Sequence, residues 1–277
     1  MKWRLASAFV FAPLPAFAHD AHVPWLPVLS LTIVTTLFII GLTRARRWHI
    51  WRVMSFASAV ISLTLLLLPP MRDWARTLFT FHMIEHEVLM ALAAPLFVFA
   101  RQGALLLNAL PLAVRRLIGR IGASRPWRFV IEPFPATLLH GIAIWIWHVP
   151  NLFEAAIQNH ALHELQHASF FLTALLFWQA MQNAVAGGVA GRAMRDLLFT
   201  ALHTGAIGAL MTLSPRVWYP LQAQTAAIWN LTPLEDQQLA GLVMWTPAGL
   251  IYAGAALWLM GRLLQRSREN ALPSRAS

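Results

Sequence analysis

The sequence predicts an all-α integral membrane protein: a bundle of seven transmembrane helices behind an N-terminal signal peptide. Three observations carry this. Of 277 residues, 58% are hydrophobic and only 12% charged, about half the charge of an ordinary soluble domain. Seven apolar runs approach the roughly 20 residues that a bilayer-crossing helix needs. Basic residues gather in every second connection between those runs, the pattern the positive-inside rule produces.

The elements follow in chain order. Lys2 and Arg4 form a basic start, Leu5 to Pro15 an apolar stretch, and Ala16-Phe17-Ala18 a small-residue cleavage site. That is the pattern of an export signal, so residues 1–18 read as a signal peptide whose removal leaves His19 as the new terminus. The seven spans fall near 24–43, 50–69, 78–100, 133–149, 162–182, 196–214 and 238–260. Residues 19–265 read as one polytopic domain and 266–277 as a cytoplasmic tail. The connection at 101–132 is too interrupted to cross and reads as an amphipathic segment on the cytoplasmic face.

Charge sets the orientation. Arg44, Arg46, Arg47 and Arg52 flank the first connection, and six arginines between 101 and 128 fill the third. With Arg192, Arg195 and the tail, these alternate connections hold 16 of the 21 basic residues. The amino terminus is therefore expected outside and the carboxyl terminus inside, in a bacterial-type inner membrane. The net charge of +10 is then a topology signal, which argues for a lipid bilayer and against nucleic acid as a partner.

Cysteine is absent, which removes disulfides, thiolate zinc sites and Cys-ligated iron–sulfur clusters. Histidine is abundant, and ten of the eleven His fall outside or within the spans. Ionisable groups inside a membrane are costly and point to function. His82/His86 and His163/His167 are i,i+4 pairs, so each pair projects from one helix face. Two such pairs with His148 at similar depth can enclose a metal ion; imidazole suits zinc, copper and iron. The competing role for such pairs is a hydrogen bond between helices. Met83, Met211 and Met244 offer thioethers that suit Cu(I), although Met is also ordinary packing. Glu85, Glu87 and Glu164 stand beside the pairs and could orient imidazoles. Asp236 opens the last span from the same side, next to a Thr232-Pro233-Leu234-Glu235 capping box.

Two strings suggest a membrane-embedded zinc metalloprotease. His163-Glu164-Leu165-Gln166-His167 matches H-E-x-x-H, and His82-Met83-Ile84-Glu85-His86 matches its inverse. One active site needs one motif, so two matches in a His/Glu-rich patch weaken the reading. A third reading is a bis-His haem b protein, with His140 and His203 as axial ligands near the middles of spans four and six.

Further segments carry a family resemblance. They are His82-Met83 with His86 and Ala94-Pro95; Trp147-His148-Val149-Pro150; Leu162-His163 with His167; His203-Thr204-Gly205 with Gly208; Ser214-Pro215-Arg216 and Tyr219-Pro220; and Asp236 to Gly241 with Met244-Trp245. Together they resemble the multi-spanning cytochrome c oxidase assembly factor CtaG family over about residues 25–265. The end of span five, Phe177-Trp178-Gln179-Ala180, departs from the Trp-rich, Pro-containing form usual there. In that family other residues also occupy the positions of Glu85 and Glu164, which implies that both protease strings are accidental. The resemblance implies a non-enzymatic role in assembling haem–copper oxidase, with oxidase subunits as partners and copper handled on the outer side. The expected copper ligands are His82, His86, His148, His163 and His167. Met83, Glu85, Glu164, His140, His203, Asp236 and Met244 are additional or supporting residues.

Overall fold

The computed structural model describes residues 25–45 and 47–271, and every regular element among them is helical. The signal-peptide reading of residues 1–18, like His19 and His22, lies outside the described residues. Helices α1 (Trp25–Arg44) and α2 (Ile50–Leu67) lead to a short α3 (Met71–Thr77). Next come α4 (Phe79–Glu87), a π-helical turn (Val88–Ala93) and α5 (Ala94–Phe99). Three short helices follow: α6 (Gln102–Ala109), α7 (Leu112–Ala123) and α8 (Arg125–Val130). The rest comprises α9 (Pro133–Trp147), α10 (Pro150–Gln158), α11 (His160–Ala186), α12 (Ala190–Leu213), a 3₁₀ segment (Gln222–Trp229) and α13 (Pro233–Ala271).

Among the described residues, five helical stretches are long and apolar enough to cross a membrane: Trp25–Arg44, Ile50–Leu67, Phe79–Phe99, Ala190–Leu213 and Pro233–Gln265. Of the other two apolar runs, α9 has only 15 residues. Helix α11 has 27 but opens with His160, His163, Glu164, Gln166 and His167, which dilute its hydropathy. Helices α11, α12 and α13 also outrun the apolar runs that announced them. Polar caps start them early: Asn159 accepts from Ala161 N and Leu162 N at the head of α11. The capping box opens α13, with Glu235 Oε2 accepting from Thr232 N at 2.8 Å and Thr232 Oγ1 accepting from Glu235 N at 3.2 Å.

The main core joins α4, α5, α9, α10, α11, α12 and α13 through Phe79, Phe153, Phe170, Phe177, Trp178, Tyr219 and Tyr252. Helices α1 and α2 stand at its edge. Phe38 stacks on Phe56 at 3.6 Å, Phe56 meets Phe97 edge-on at 5.3 Å, and much of both helices stays exposed and apolar. No residue of α6, α7 or α8 is buried. Helix α7 mixes Arg115, Arg116 and Arg120 with exposed Leu117, Ile118 and Ile121.

Two local devices hold the frame. In the π-turn, Ala94 N bonds to Leu89 O, five residues back. In that pattern Met90 O awaits a proton from residue 95, which is proline and has none. The indole of Trp178 donates instead, at 3.0 Å. The second device is the crossing of α12 and α13. A Cβ on Gly241 would lie 2.5 Å from Gly208 O, and one on Gly208 would lie 2.7 Å from Gly241 O. Only glycine allows this approach, as at small-residue helix interfaces in membranes. Gly241→Ala is expected to force the helices apart and cost about 1–3 kcal/mol, read as a lower thermal midpoint of the full chain in detergent.

Candidate metal centre

Three helices deliver the histidines. Helix α4 presents His82 and His86 one turn apart, the end of α9 presents His148, and the first turns of α11 present His163 and His167. The i,i+4 spacing puts each pair on one face, and here the two faces meet. Ring centroids lie 4.5 Å apart for His82–His86, 4.2 Å for His163–His167 and 5.1 Å for His86–His167. His82–His163 and His86–His148 lie at 5.4 and 6.1 Å. The five imidazoles thus form one continuous set. Within it, one ligand atom each from His82, His86 and His167 lies within 4.8 Å of the others.

The walls are aromatic. Phe170 meets His86 at 4.8 Å and Phe153 meets His82 at 5.3 Å. His82, His86 and His148 are buried. Yet His82 Nε2, both ring nitrogens of His86, His148 Nε2 and His167 Nε2 are buried without a hydrogen-bond partner, as are both side-chain polar atoms of Gln166. Each such atom costs about 1–3 kcal/mol when left unsatisfied. Among buried polar atoms these are the exception, and a metal ion would satisfy several at once.

One tautomer is fixed by its partner. His148 Nδ1 lies 2.7 Å from Ile144 O. A carbonyl only accepts, so Nδ1 carries the proton and the unpartnered Nε2 holds the lone pair. That is the usual arrangement behind a metal-ligating His. The ring is held further by Tyr219, whose buried hydroxyl donates to His148 O at 2.7 Å. Burial raises the Tyr219 hydroxyl above its usual range, so it stays a donor.

Asp236 acts on the site through the helix that carries it. Its buried carboxylate accepts from Phe79 N at 2.8 Å, Thr80 N at 2.9 Å and Thr80 Oγ1 at 2.7 Å. These are the first N–H groups of α4, where the helix dipole favours a negative charge. The carboxylate therefore fixes the start of the helix one turn before His82. The neighbouring Gln237 and Gln238 anchor the loop that follows α12. Gln237 Oε1 accepts from Trp218 N at 2.5 Å, and Gln238 Nε2 donates to Ser214 O at 3.3 Å.

The remaining candidates lie elsewhere. Glu85 faces Arg76 and Arg72 electrostatically. The Arg76 guanidinium is held below its usual range, first by burial and then by Arg72, with Asp73 and Glu85 acting oppositely. Glu164 does not join the metal-capable group, which contains no carboxylate. Zincin chemistry needs a glutamate beside the metal-bound water. Met83, Met211 and Met244 are buried in the apolar core. His203 lies against Gly141, the chain neighbour of His140. Sequence reasoning missed Phe170, and it gave Leu152-Phe153 and Tyr219-Pro220 only as segments of the family resemblance, with no place at the site. The signal for Phe170 was present, since it falls at the helical spacing from Gln166 on the inward face of α11.

The profile of the family described as cytochrome c oxidase caa3 assembly factor matches residues 36–266. An uncharacterized protein of Mycobacterium bovis is 24% identical over 216 residues, covering 73% of this chain and 32% of its own length. One of Mycobacterium tuberculosis matches to the same extent. One of Mycobacterium leprae is 23% identical over 231 residues, 77% of this chain and 35% of its own. The chain spans about a third of the length of the curated relatives it matches. No solved structure matches it.

Asp236→Ala leaves Phe79 N–H and Thr80 N–H buried without an acceptor. At about 1–3 kcal/mol for each of the two orphaned groups, it is expected to cost about 2–6 kcal/mol. The readout is the thermal midpoint in detergent; an unchanged midpoint would contradict the capping role.

Proposed function

The chain belongs to the cytochrome c oxidase caa3 assembly factor family, and from that membership we propose that it helps build a haem–copper oxidase by handling copper at the five-histidine cluster. The supporting observation is the set of buried, unpartnered imidazole nitrogens on His82, His86, His148 and His167, of which His82, His86 and His167 bring ligand atoms within 4.8 Å of one another. His163, beside His82 and His167, completes the set.

The donor chemistry narrows the cargo. Every donor in the set is a neutral imidazole, and no carboxylate is there to balance an ion's charge. The cost of holding a charge in an apolar interior rises with its square, so a divalent ion costs about fourfold more than a monovalent one. Neutral nitrogen donors at membrane depth therefore favour Cu(I) over Zn²⁺ or Cu²⁺. The same lack of a carboxylate favours a carrier over a hydrolase.

The topology completes the proposal. Helices α1, α2, Phe79–Phe99, α9, α11, α12 and α13 serve as seven crossings, with the amino terminus outside in an inner membrane. The cluster then opens toward the outer side. Copper-accepting subunits of the oxidase are the expected partners there.

Two substitutions test the copper role. His86→Ala with His167→Ala removes two of the three closest donors. The double variant is expected to lose one equivalent of copper per chain on anaerobic loading in detergent, with its elution profile on gel filtration unchanged. Undiminished copper in a folded double variant would reject the cluster as the copper site and return the histidines to helix packing.

A further inference from the structure

A second pair of imidazoles lies deeper in the bundle, apart from the cluster. His140, in the middle of α9, is fully buried, and His203, in the middle of α12, is half-buried. His140 Nε2 and both ring nitrogens of His203 are buried without a partner. The chain makes room for the approach: a Cβ on Gly141, the neighbour of His140, would lie 3.2 Å from His203 Nε2. His140 and His148 are two turns apart on one face of α9, so the pair sits about 12 Å along the helix from His148. Buried Ile144 stands between them.

The hydrogen bonds set the tautomer of His140. Thr173 Oγ1 donates its single proton to Ser169 O at 2.7 Å, with a longer contact to Phe170 O at 3.3 Å. Toward His140 Nδ1, 3.0 Å away, the hydroxyl can only accept. Nδ1 therefore carries the proton, and Nε2, the orphaned atom, presents its lone pair. An acceptor that holds the far N–H is how proteins orient a ligating imidazole, and here the Thr173 hydroxyl takes that place. Phe177 stacks on His140 at 5.5 Å and Phe199 flanks His203 at 5.3 Å. The nearby Thr204 hydroxyl is committed to Thr200 O at 2.8 Å.

We propose that His140 and His203 form a second cation site, taking Cu(I) between two imidazole nitrogens. Zinc and Cu(II) call for about four ligands, which this pair does not supply. Cu(I) is content with two neutral donors in a line, and its single charge is the least costly to hold at this depth.

The experiment is anaerobic Cu(I) titration of the full chain in detergent against a chromogenic Cu(I) chelator, with X-ray absorption on the bound copper. The unmodified chain is expected to hold two equivalents. H86A/H167A should keep one, bound by two nitrogen scatterers with the intense edge feature of linear Cu(I). H203L should remove that equivalent. T173V keeps both imidazoles and should weaken it about 10-fold or more, which carries the test should H203L not fold. The proposal is overturned if the copper retained by H86A/H167A has three or more nitrogen neighbours, or if H203L and T173V leave it unmoved. A Soret band lost in H203L would give the pair to haem and overturn it equally. Failure of the cluster reading shows separately, as copper that H86A/H167A does not reduce.

Discussion

Two backbone N–H groups at the start of α4 meet one buried carboxylate, and the architecture around the histidines depends on that meeting. Asp236 belongs to α13, more than 150 residues away in the chain from Phe79 and Thr80. Its bonds fix where α4 begins, and therefore which way His82 and His86 point one and two turns later. Because α13 also packs on α12 through Gly241 and Gly208, the same helix couples the cap to the backbone of the bundle. The carboxylate's negative charge is matched by the helix end rather than by a cation. Among the described residues, no carboxylate joins the group that His82, His86 and His167 form.

The unpartnered nitrogens are the second constraint. A bundle whose apolar residues interlock as here could have filled this space with leucine at no polar cost. Instead it keeps several polar atoms unsatisfied in two places, against a net stability that is ordinarily small. Structure around each site compensates. Trp147 Nε1 donates to Ser169 Oγ at 2.7 Å, tying α9 to α11 between the two places. Tyr219, Glu154 and Thr225 tie the segment between α12 and α13 to its neighbours, through His148 O, Leu221 N and Thr77 O. The surroundings are tightly bonded and the centre is not, which is the arrangement expected where a ligand supplies the missing contacts.

Much of this was legible in the sequence. The i,i+4 pairs at His82/His86 and His163/His167 and the lone His148 identified the rings that meet, because helical spacing is rigid enough to place side chains on a face. The capping box at Thr232 was legible for the same reason. The role of Asp236 was not: its partners are backbone groups distant in the chain, and local pattern cannot specify a tertiary cap. The same holds for Thr173, whose importance lies in which of two hydrogen bonds receives its only proton. Helix lengths were misjudged because apolar runs mark what suits lipid, whereas helices end where caps allow. The short helices α3 and α10 have only seven and nine residues, about two turns, too few to announce a helical period.

The π-turn at Val88–Ala93 has one more consequence. A helix advances about 100° per residue, and a π-turn absorbs roughly one extra residue without lengthening the run. Everything after it is rotated relative to everything before. Before the turn, Phe79, His82 and His86 look into the histidine chamber; after it, Phe97 looks toward Phe56 and Phe171 at the edge. The span is keyed at two angles, like a shaft with a half-step between its teeth. Its first part can therefore serve the interior while its second part secures the outlying α1–α2 pair. Removing that half-step would leave either the chamber or the outer pair out of register.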